Sequence, residues 1–496
     1  MEASKIISAP WDRLRDTTLL RTRNLIGGEW CSASDGGEHA VLNPSSQQVL
    51  AKVPASSEED ARRAVQAAHD AGKEWAELTS KARASVLRRW HDLILQHRDD
   101  LGLILAAEQG KPLAESVGEV VYGAGFVEWF AEEGKRVYGD VIPPHAKDKR
   151  IVVVKQPVGV AALITPWNFP SAMITRKVGP ALAAGCTVVL KPAEDTPLSA
   201  LALGELALRA GVPPGVFNIV TTAQPASVGG VFTSDPLVRK LSFTGSTRVG
   251  KMLMAQCAGT VKRVSLELGG NAAFIVFDDA DLDAAIAGLM ACKFRNTGQT
   301  CISANRILIQ DGIFDAFSKR LVEAVRSLAV GDPLADGSQQ GPLINEAAFL
   351  KVNRLVNDAL ARGADALEGA SVHDRGGWFY QPTVLANVPS DATICSEEIF
   401  GPVAVLERFS TEADVVARAN NSPYGLAGYF YSRDVGRCWR VAEALEVGIV
   451  GVNEGSISTE LAPFGGVKES GIGREGSKYG IDDYLETKYM CFGGVA

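Results

Sequence analysis

The 496-residue chain is too long for one ordinary core and predicts two or three domains. Its 46% apolar and 22% charged residues are those of a soluble globular protein. A formal net charge of -8 leaves no basic footprint for nucleic acid and no polybasic face for anionic lipid.

The first thirty residues carry Asp12, Arg13, Arg15 and Asp16 where a secretory peptide would need an apolar run, and Glu2, Asp12 and Asp16 speak against a mitochondrial transit peptide. No stretch reaches the ~18 apolar residues of a membrane span. Residues 24–30 and 41–44 read as short strands and turns. From Ser56 to Gly110 the pattern is helical: Ser57 with Asp60 resembles a capping box with Asp in place of Glu or Gln, and Leu87, Trp90, Leu93, Ile94, Leu101, Ile104 and Leu105 recur at helical spacing. His91 and His97 have no cysteine or carboxylate cluster beside them, so no metal is assigned to them. Residues 151–157 read as a strand and 158–164 as a second, fully buried one. A proline-bracketed loop, Thr165 to Pro170, leads to a helical segment over 171–184. Then come a strand at 187–190 ending in Lys191-Pro192-Ala193-Glu194, a helix at 198–210, and strands at 216–220 and 241–243. Such alternation implies a parallel sheet with ligands at the carboxyl ends of its strands.

A second alternating region opens with a β-rich segment at 272–277 and runs to about Asn453. Inside it, Phe294-Arg295-Asn296-Thr297-Gly298-Gln299-Thr300-Cys301 places one cysteine after a small polar turn, between an amphipathic segment (284–294) and a β-branched run (307–309). A thiol in such a loop can be positioned from both sides and stay reachable, as a nucleophile must be. The other cysteines (Cys31, Cys186, Cys257, Cys292, Cys395, Cys438, Cys491) complete a set of eight without CxxC or CxxH spacing, which argues against a disulfide framework and structural zinc and fits a reducing cytoplasm. Two decoys are set aside. Gly471 to Gly476 is a literal GxGxxG, but no strand precedes it and too little chain follows for a βαβ unit, so it reads as a turn. Gly245 to Lys251 is almost a phosphate-binding P-loop, yet Met252 stands where Ser or Thr must bind Mg²⁺, which leaves a nucleotide hydrolase as a remote alternative. The tail 484–492 reads as a terminal strand whose exposed edge needs a partner.

The string TGQTC around Cys301 resembles the active-site cysteine motif of the aldehyde dehydrogenase superfamily. Leu266-Glu267-Leu268-Gly269-Gly270, with Glu267 thirty-four residues upstream of Cys301, resembles its general-base motif. The resemblance covers essentially the whole chain. It implies an α/β fold with a Rossmann-like NAD-binding domain (1–138 and 158–266), an α/β catalytic domain (267–481) and a small β oligomerisation element (139–157 and 482–496). It further implies Cys301 as nucleophile, Asn168 with the Cys301 N–H as oxyanion donors, Glu267 as the base that activates water, and Lys177 as a lysine ordering the site. For the coenzyme, NAD with NADP as an alternative, it implies Thr165, Pro166, Trp167, Lys191, Glu194, Gly245, Ser246, Glu398 and Phe400. Glu194, able to hold both ribose hydroxyls, favours NAD.

The flanking strings KPAEDTP, LSFTGST, KFRNTGQTC and REGSKYGIDDYLETKYMC are most similar to the branch of that superfamily that oxidises succinic semialdehyde, in which two arginines and a serine bind the far carboxylate. The matching positions are Arg176, Arg295 and Ser458. A guanidinium pair offers a planar fork for a carboxylate. Ser303 stands where some relatives carry a second cysteine. Glutaric semialdehyde or another ω-carboxy aldehyde is the enzyme alternative, since one methylene is worth only ~1 to 3 kcal/mol. A cofactor-free thiol hydrolase would share Cys301 and Glu267. The oligomerisation element predicts a homodimer or a dimer-built tetramer, with no nucleic acid or membrane partner.

Overall fold

The apolar run ahead of the proline-bracketed loop folds as the strand Val160–Ile164, and it is buried along its whole length. Ala161 and Leu163 enter one core with Trp90, Val188 and Leu190, while Val160, Ala162 and Ile164 enter another with Ala61, Val65 and Val189. Helices therefore cover both faces of this strand, which is why its sequence is continuously apolar instead of alternating. The computed structural model describes residues 10–495; Glu2 and the rest of 1–9, with residue 496, lie outside the described residues.

Val160–Ile164 belongs to an eight-stranded sheet in the order Glu29–Cys31, Asn24–Ile26, Phe217–Ile219, Thr187–Lys191, Val160–Ile164, Val238–Thr244, Arg263–Glu267, Gly471–Ile472. The five strands from Phe217–Ile219 to Arg263–Glu267 are parallel, and the outer ones are antiparallel. The chain starts at Val160–Ile164, moves out to Phe217–Ile219, and returns on the other side through Val238–Thr244. This reversal creates a crevice at the strands' carboxyl ends, where open α/β sheets bind ligands. The GxGxxG string supplies only the two-residue edge strand Gly471–Ile472 and a turn.

A seven-stranded sheet follows, in the order Asp365–Glu368, Thr383–Ala386, Val403–Phe409, Ala304–Gln310, Ala272–Val276, Ala427–Tyr431, Ile449–Val452. All but the first strand run parallel. The helix Leu282–Lys293, capped by Asp281, delivers the chain to the Cys301 loop, and Ala304–Gln310 carries it away. The tail forms Leu485–Gly493, paired antiparallel with all nine residues of Lys149–Pro157, which in turn pairs with Asp140–Ile142. Val141, Tyr489 and Phe492 are exposed on this small sheet. Ser57 and Asp60 do form the capping box of the helix Glu58–Glu77, and the Asp60 carboxylate is fully buried because it also accepts from Ser34 N at 3.0 Å. His91 Nδ1 lies 3.0 Å from Asp92. No helix among the described residues is long and apolar enough to cross a membrane.

Candidate active site

Between the two large sheets lies a cavity of about 270 Å³, lined among others by Cys301, Glu267, Asn168, Arg176, Arg295, Ser458, Pro166, Trp167, Gly245, Ser246, Glu398 and Phe400. Residues named from distant parts of the sequence thus meet on one wall. Thr165, Lys177, Lys191 and Glu194 are not among its lining residues.

The loop before Cys301 is held in an unusual shape. Asn296, Thr297 and Gly298 have φ of 51°, 58° and 73°, three successive left-handed residues of which only the last is glycine. External bonds sustain it. Glu115 accepts from Asn296 N at 2.9 Å, Asn296 Nδ2 donates to Asn168 O at 2.9 Å, Thr297 Oγ1 donates to Gly341 O at 3.2 Å, and Ile344 N donates to Gln299 Oε1 at 3.0 Å. A side chain at Gly298 would place its Cβ 2.1 Å from Gly401 O, so this position admits no other residue.

Glu267 ends the strand Arg263–Glu267, and the Gly269-Gly270 turn then joins it to both other acidic and nucleophilic elements. Gly270 N donates to Glu398 Oε1 at 3.1 Å, and a Cβ on Gly270 would sit 2.5 Å from Cys301 O. Glu267 Oε2 is buried without a partner. Burial, followed by the charge of Glu475, pushes the Glu267 carboxyl well above the usual range. Burial and then Glu398 push the Cys301 thiol up to about 12, against the opposing charge of Arg176. The Cys301 thiol therefore rests neutral near neutrality, and the Glu267 carboxyl holds its proton more tightly than a free carboxyl does. Burial also pushes Glu398 up to about 7. Asn168 Nδ2 spends one hydrogen on Gln299 O at 3.0 Å and keeps the other for the cavity. Its carbonyl is fixed by Lys111 Nζ at 2.7 Å, and Lys111 is paired at 2.5 Å with Glu119, both fully buried.

The two arginines differ. Arg176 is buried between the rings of Phe464 and Phe126, at 4.1 and 5.4 Å, and its Nε lies 2.7 Å from Glu475 Oε2; its Nη2 has no partner. Arg295 rests on Phe169 at 5.2 Å, is half-buried, and forms no ion pair among the described residues. Lys177 Nζ donates to Ser242 Oγ at 2.8 Å and to Glu475, so it orders the site through Glu475 instead of facing the cavity. Sequence reasoning missed Glu475, which sits inside the glycine-rich decoy, and Lys111, Glu119 and Tyr122, which carry no motif.

The crevice suits a dinucleotide. Ser246 caps the helix Thr247–Cys257, whose N-terminus faces the carboxyl end of Val238–Thr244, and the hydroxyls of Thr165 and Thr244 are buried without partners. Lys191 Nζ pairs with Glu194 Oε1 at 2.9 Å on the strand beside Ile164, and the Glu194 side chain is one-third exposed. Phe400 packs edge-on against Trp167, ring centroids 5.4 Å apart. Among the described residues no group of three or more His, Cys, Asp or Glu is placed to hold a metal ion.

An oxidoreductase built around a cysteine nucleophile and a dinucleotide crevice is the class that this fold and cavity define. Residues 30–490 match the family model described as "Aldehyde dehydrogenase family", and the chain belongs to that family. It is 59% identical over 481 residues to succinate-semialdehyde dehydrogenase [NADP(+)] of Escherichia coli, covering 97% of this chain and 100% of that one. It is 56% identical to glutarate-semialdehyde dehydrogenase of Pseudomonas aeruginosa, covering 97% and 100%. The crystal structure of succinate-semialdehyde dehydrogenase from Burkholderia pseudomallei superposes with a TM-score of 0.96 at 56% identity, covering 97% and 100%. The chain is thus an aldehyde dehydrogenase, and NAD(P) is the coenzyme of its family.

Proposed function

We propose that the protein oxidises succinic semialdehyde to succinate with NAD(P)⁺. The observation that carries this reading is one cavity lined by Cys301, Glu267 and Asn168 together with Arg176, Arg295 and Ser458. Cys301 gives its thiol proton to solvent water and its Sγ bonds to the aldehyde carbon while the C=O π pair moves onto oxygen, and Asn168 Nδ2 with the Cys301 N–H stabilise that oxyanion of the thiohemiacetal. NAD(P)⁺, which Lys191, Glu194 and Ser246 would hold, would supply the two-electron acceptor for the hydrogen on that carbon. Glu267 then takes a proton from water, whose oxygen attacks the thioester carbon; the C–S bond breaks, and Cys301 leaves with a proton. The raised pKa of Glu267 makes its carboxylate a stronger base than a free one.

At the far end, Arg176 Nη2, Arg295 and Ser458 would bind the carboxylate. Glutaric semialdehyde is the second reading, favoured by the similarity to the Pseudomonas aeruginosa enzyme, because one methylene changes binding by only ~1 to 3 kcal/mol. Glu194 supports a preference for NAD⁺. Two unit charges 4 Å apart repel by about 4 kcal/mol at an effective dielectric near 20, so a 2′-phosphate beside Glu194 is disfavoured even with Lys191 present. The Escherichia coli relative is by its name an NADP⁺ enzyme, so this preference turns on Glu194 and not on family membership. The dinucleotide-binding (1–138, 158–266), catalytic (267–481) and oligomerisation (139–157, 482–496) parts are proposed with the same reading. The free edge of Leu485–Gly493 and the exposed Tyr489 and Phe492 support a dimer or dimer-built tetramer. Eight unpaired cysteines support a reducing cytoplasm. The test is a panel of succinic semialdehyde, glutaric semialdehyde and propanal with NAD⁺ and NADP⁺. The reading expects succinic semialdehyde to have the highest kcat/KM, and equal efficiency with propanal overturns it.

A further inference from the structure

The wall of the cavity holds one more polar group that neither the nucleophile nor the coenzyme crevice uses. Tyr122 lies on the helix Leu113–Glu133 and lines the cavity together with Arg176, Arg295 and Ser458. Its hydroxyl is buried and has no hydrogen-bond partner, as is true of Arg176 Nη2. A phenol that served only to fill space there would be better replaced by phenylalanine, because an unmade buried hydrogen bond costs stability while the ring contacts remain.

The position of the ring is set by the elements that set Arg176. One residue further on, Gly123 lets this helix press against Ala172–Ala184: a Cβ there would meet Thr175 Oγ1 at 3.0 Å and Ala172 Cα at 3.2 Å. One turn on, Phe126 meets the Tyr122 ring edge-on, centroids 5.0 Å apart at 71°, and lies 5.4 Å from the Arg176 guanidinium. Tyr122 and Arg176 are thereby held against the same aromatic ring. Glu475, the nearby acceptor, is already taken by Arg176 and Lys177.

We propose that Tyr122 is a specificity-determining residue that donates its hydroxyl hydrogen to the carboxylate of the aldehyde, completing with Arg176, Arg295 and Ser458 a four-donor site. A carboxylate offers two oxygens with about four lone-pair positions, which one donor from each of the four side chains can fill. Burial raises the phenol's pKa, so Tyr122 stays a protonated donor through neutral pH. An alkyl aldehyde would satisfy none of these donors, so the site favours the carboxylate.

This inference rests on the proposed ω-carboxy aldehyde reading, and the experiment separates the two. Wild type and Tyr122→Phe, as full-length protein, are compared for KM and kcat with succinic semialdehyde and with propanal, and for competitive inhibition by succinate. Loss of one hydrogen bond to a charged group predicts that KM for succinic semialdehyde and Ki for succinate rise at least about tenfold. The kcat with either aldehyde, and kcat/KM for propanal, should stay within about twofold, which a misfolded or loosened helix could not achieve. Unchanged KM and Ki in Tyr122→Phe, with the wild-type preference for succinic semialdehyde intact, overturn the role of Tyr122 alone. Equal losses on both aldehydes overturn it too, and a wild type without preference for the carboxylate overturns both readings.

Discussion

Arg295→Ala and Arg176→Ala should fail in different ways, and the difference follows from their surroundings. Arg295 makes no ion pair among the described residues and rests on the face of Phe169, so its removal breaks no ion pair. What is lost is its hydrogen bonding to the substrate carboxylate, worth about 1.5 to 3 kcal/mol, or roughly 10- to 150-fold in kcat/KM. That loss should fall on KM for succinic semialdehyde, leaving propanal within about threefold and the denaturation midpoint unchanged. Arg176 is 1% exposed and shares Glu475 with Lys177. Its removal leaves a buried carboxylate with one partner, for which about 3 kcal/mol of stability is the expected order. It also removes one of the charges that oppose the burial of Glu267 and Cys301. Arg176→Ala should therefore lower the denaturation midpoint, and should lower turnover of both aldehydes. Steady-state kinetics on the two substrates and a chemical denaturation curve for each variant decide the matter. If Arg295→Ala costs propanal as much as succinic semialdehyde, Arg295 is a structural residue and the carboxylate-binding reasoning is wrong.

Cys301→Ala should abolish turnover while NAD(P)⁺ still binds by fluorescence titration, and retention of a tenth of wild-type turnover would remove the cysteine from the mechanism. Because the Cys301 thiol is pushed up to about 12, the thiolate fraction is small at neutrality and grows about tenfold per pH unit; alkylation by iodoacetamide of the coenzyme-free protein, read as mass added to the Cys301 peptide, should keep climbing from pH 7 to 9, and a plateau in that window would contradict the burial argument. Glu194→Ser should shrink a preference for NAD⁺ of at least about tenfold in kcat/KM, since it removes the carboxylate that a 2′-phosphate would face; equal wild-type efficiencies with both coenzymes would mean that Glu194 turns away from the ribose. Lys111→Met should destabilise the protein by about 3 to 5 kcal/mol by leaving the buried Glu119 without its cation, and a denaturation free energy within about 1 kcal/mol of wild type would show that the ion pair does not hold this region together.

The parts of this molecule that a reader of the sequence can find are those where the cause is local. The run at 160–164 is apolar at every position because both faces are covered, and its neighbours at 187–190 and 241–243 announce the same sheet. The strand at 151–157 and the tail find one another as antiparallel partners over nine residues. Glu475, by contrast, lies in a glycine string that reads as a turn and indeed forms one, and nothing local says that its carboxylate reaches Arg176 and Lys177 across the molecule. Tyr122 sits on a helix whose buried face is mostly apolar, so its hydroxyl is silent until the opposite wall is known. Contacts of that kind depend on tertiary closure, for which the sequence has no period.

The Cys301 loop shows where local preference is overruled. Asn tolerates a left-handed backbone, but Thr, β-branched, does not adopt it without cost, and two such residues in succession before a glycine are worth on the order of 1 to 3 kcal/mol each in strain. The sequence Asn-Thr-Gly reads as an ordinary polar turn. What holds it is a buried cluster one helix away: Glu115 takes the Asn296 N–H, and Lys111, paired with Glu119, takes the Asn168 carbonyl that also accepts from Asn296 Nδ2. Glu119 in turn accepts from Ser171 N and Ala172 N at the start of the helix that carries Arg176. The ion pair thus grips the candidate oxyanion donor Asn168 and the start of the helix of Arg176, and through the Asn168 carbonyl it reaches the strained loop ahead of the thiol. A surface pair would be too weak and too mobile to do so. Burial makes this pair costly to form and equally costly to break, and that stiffness is what a loop carrying a nucleophile against its own backbone preference requires.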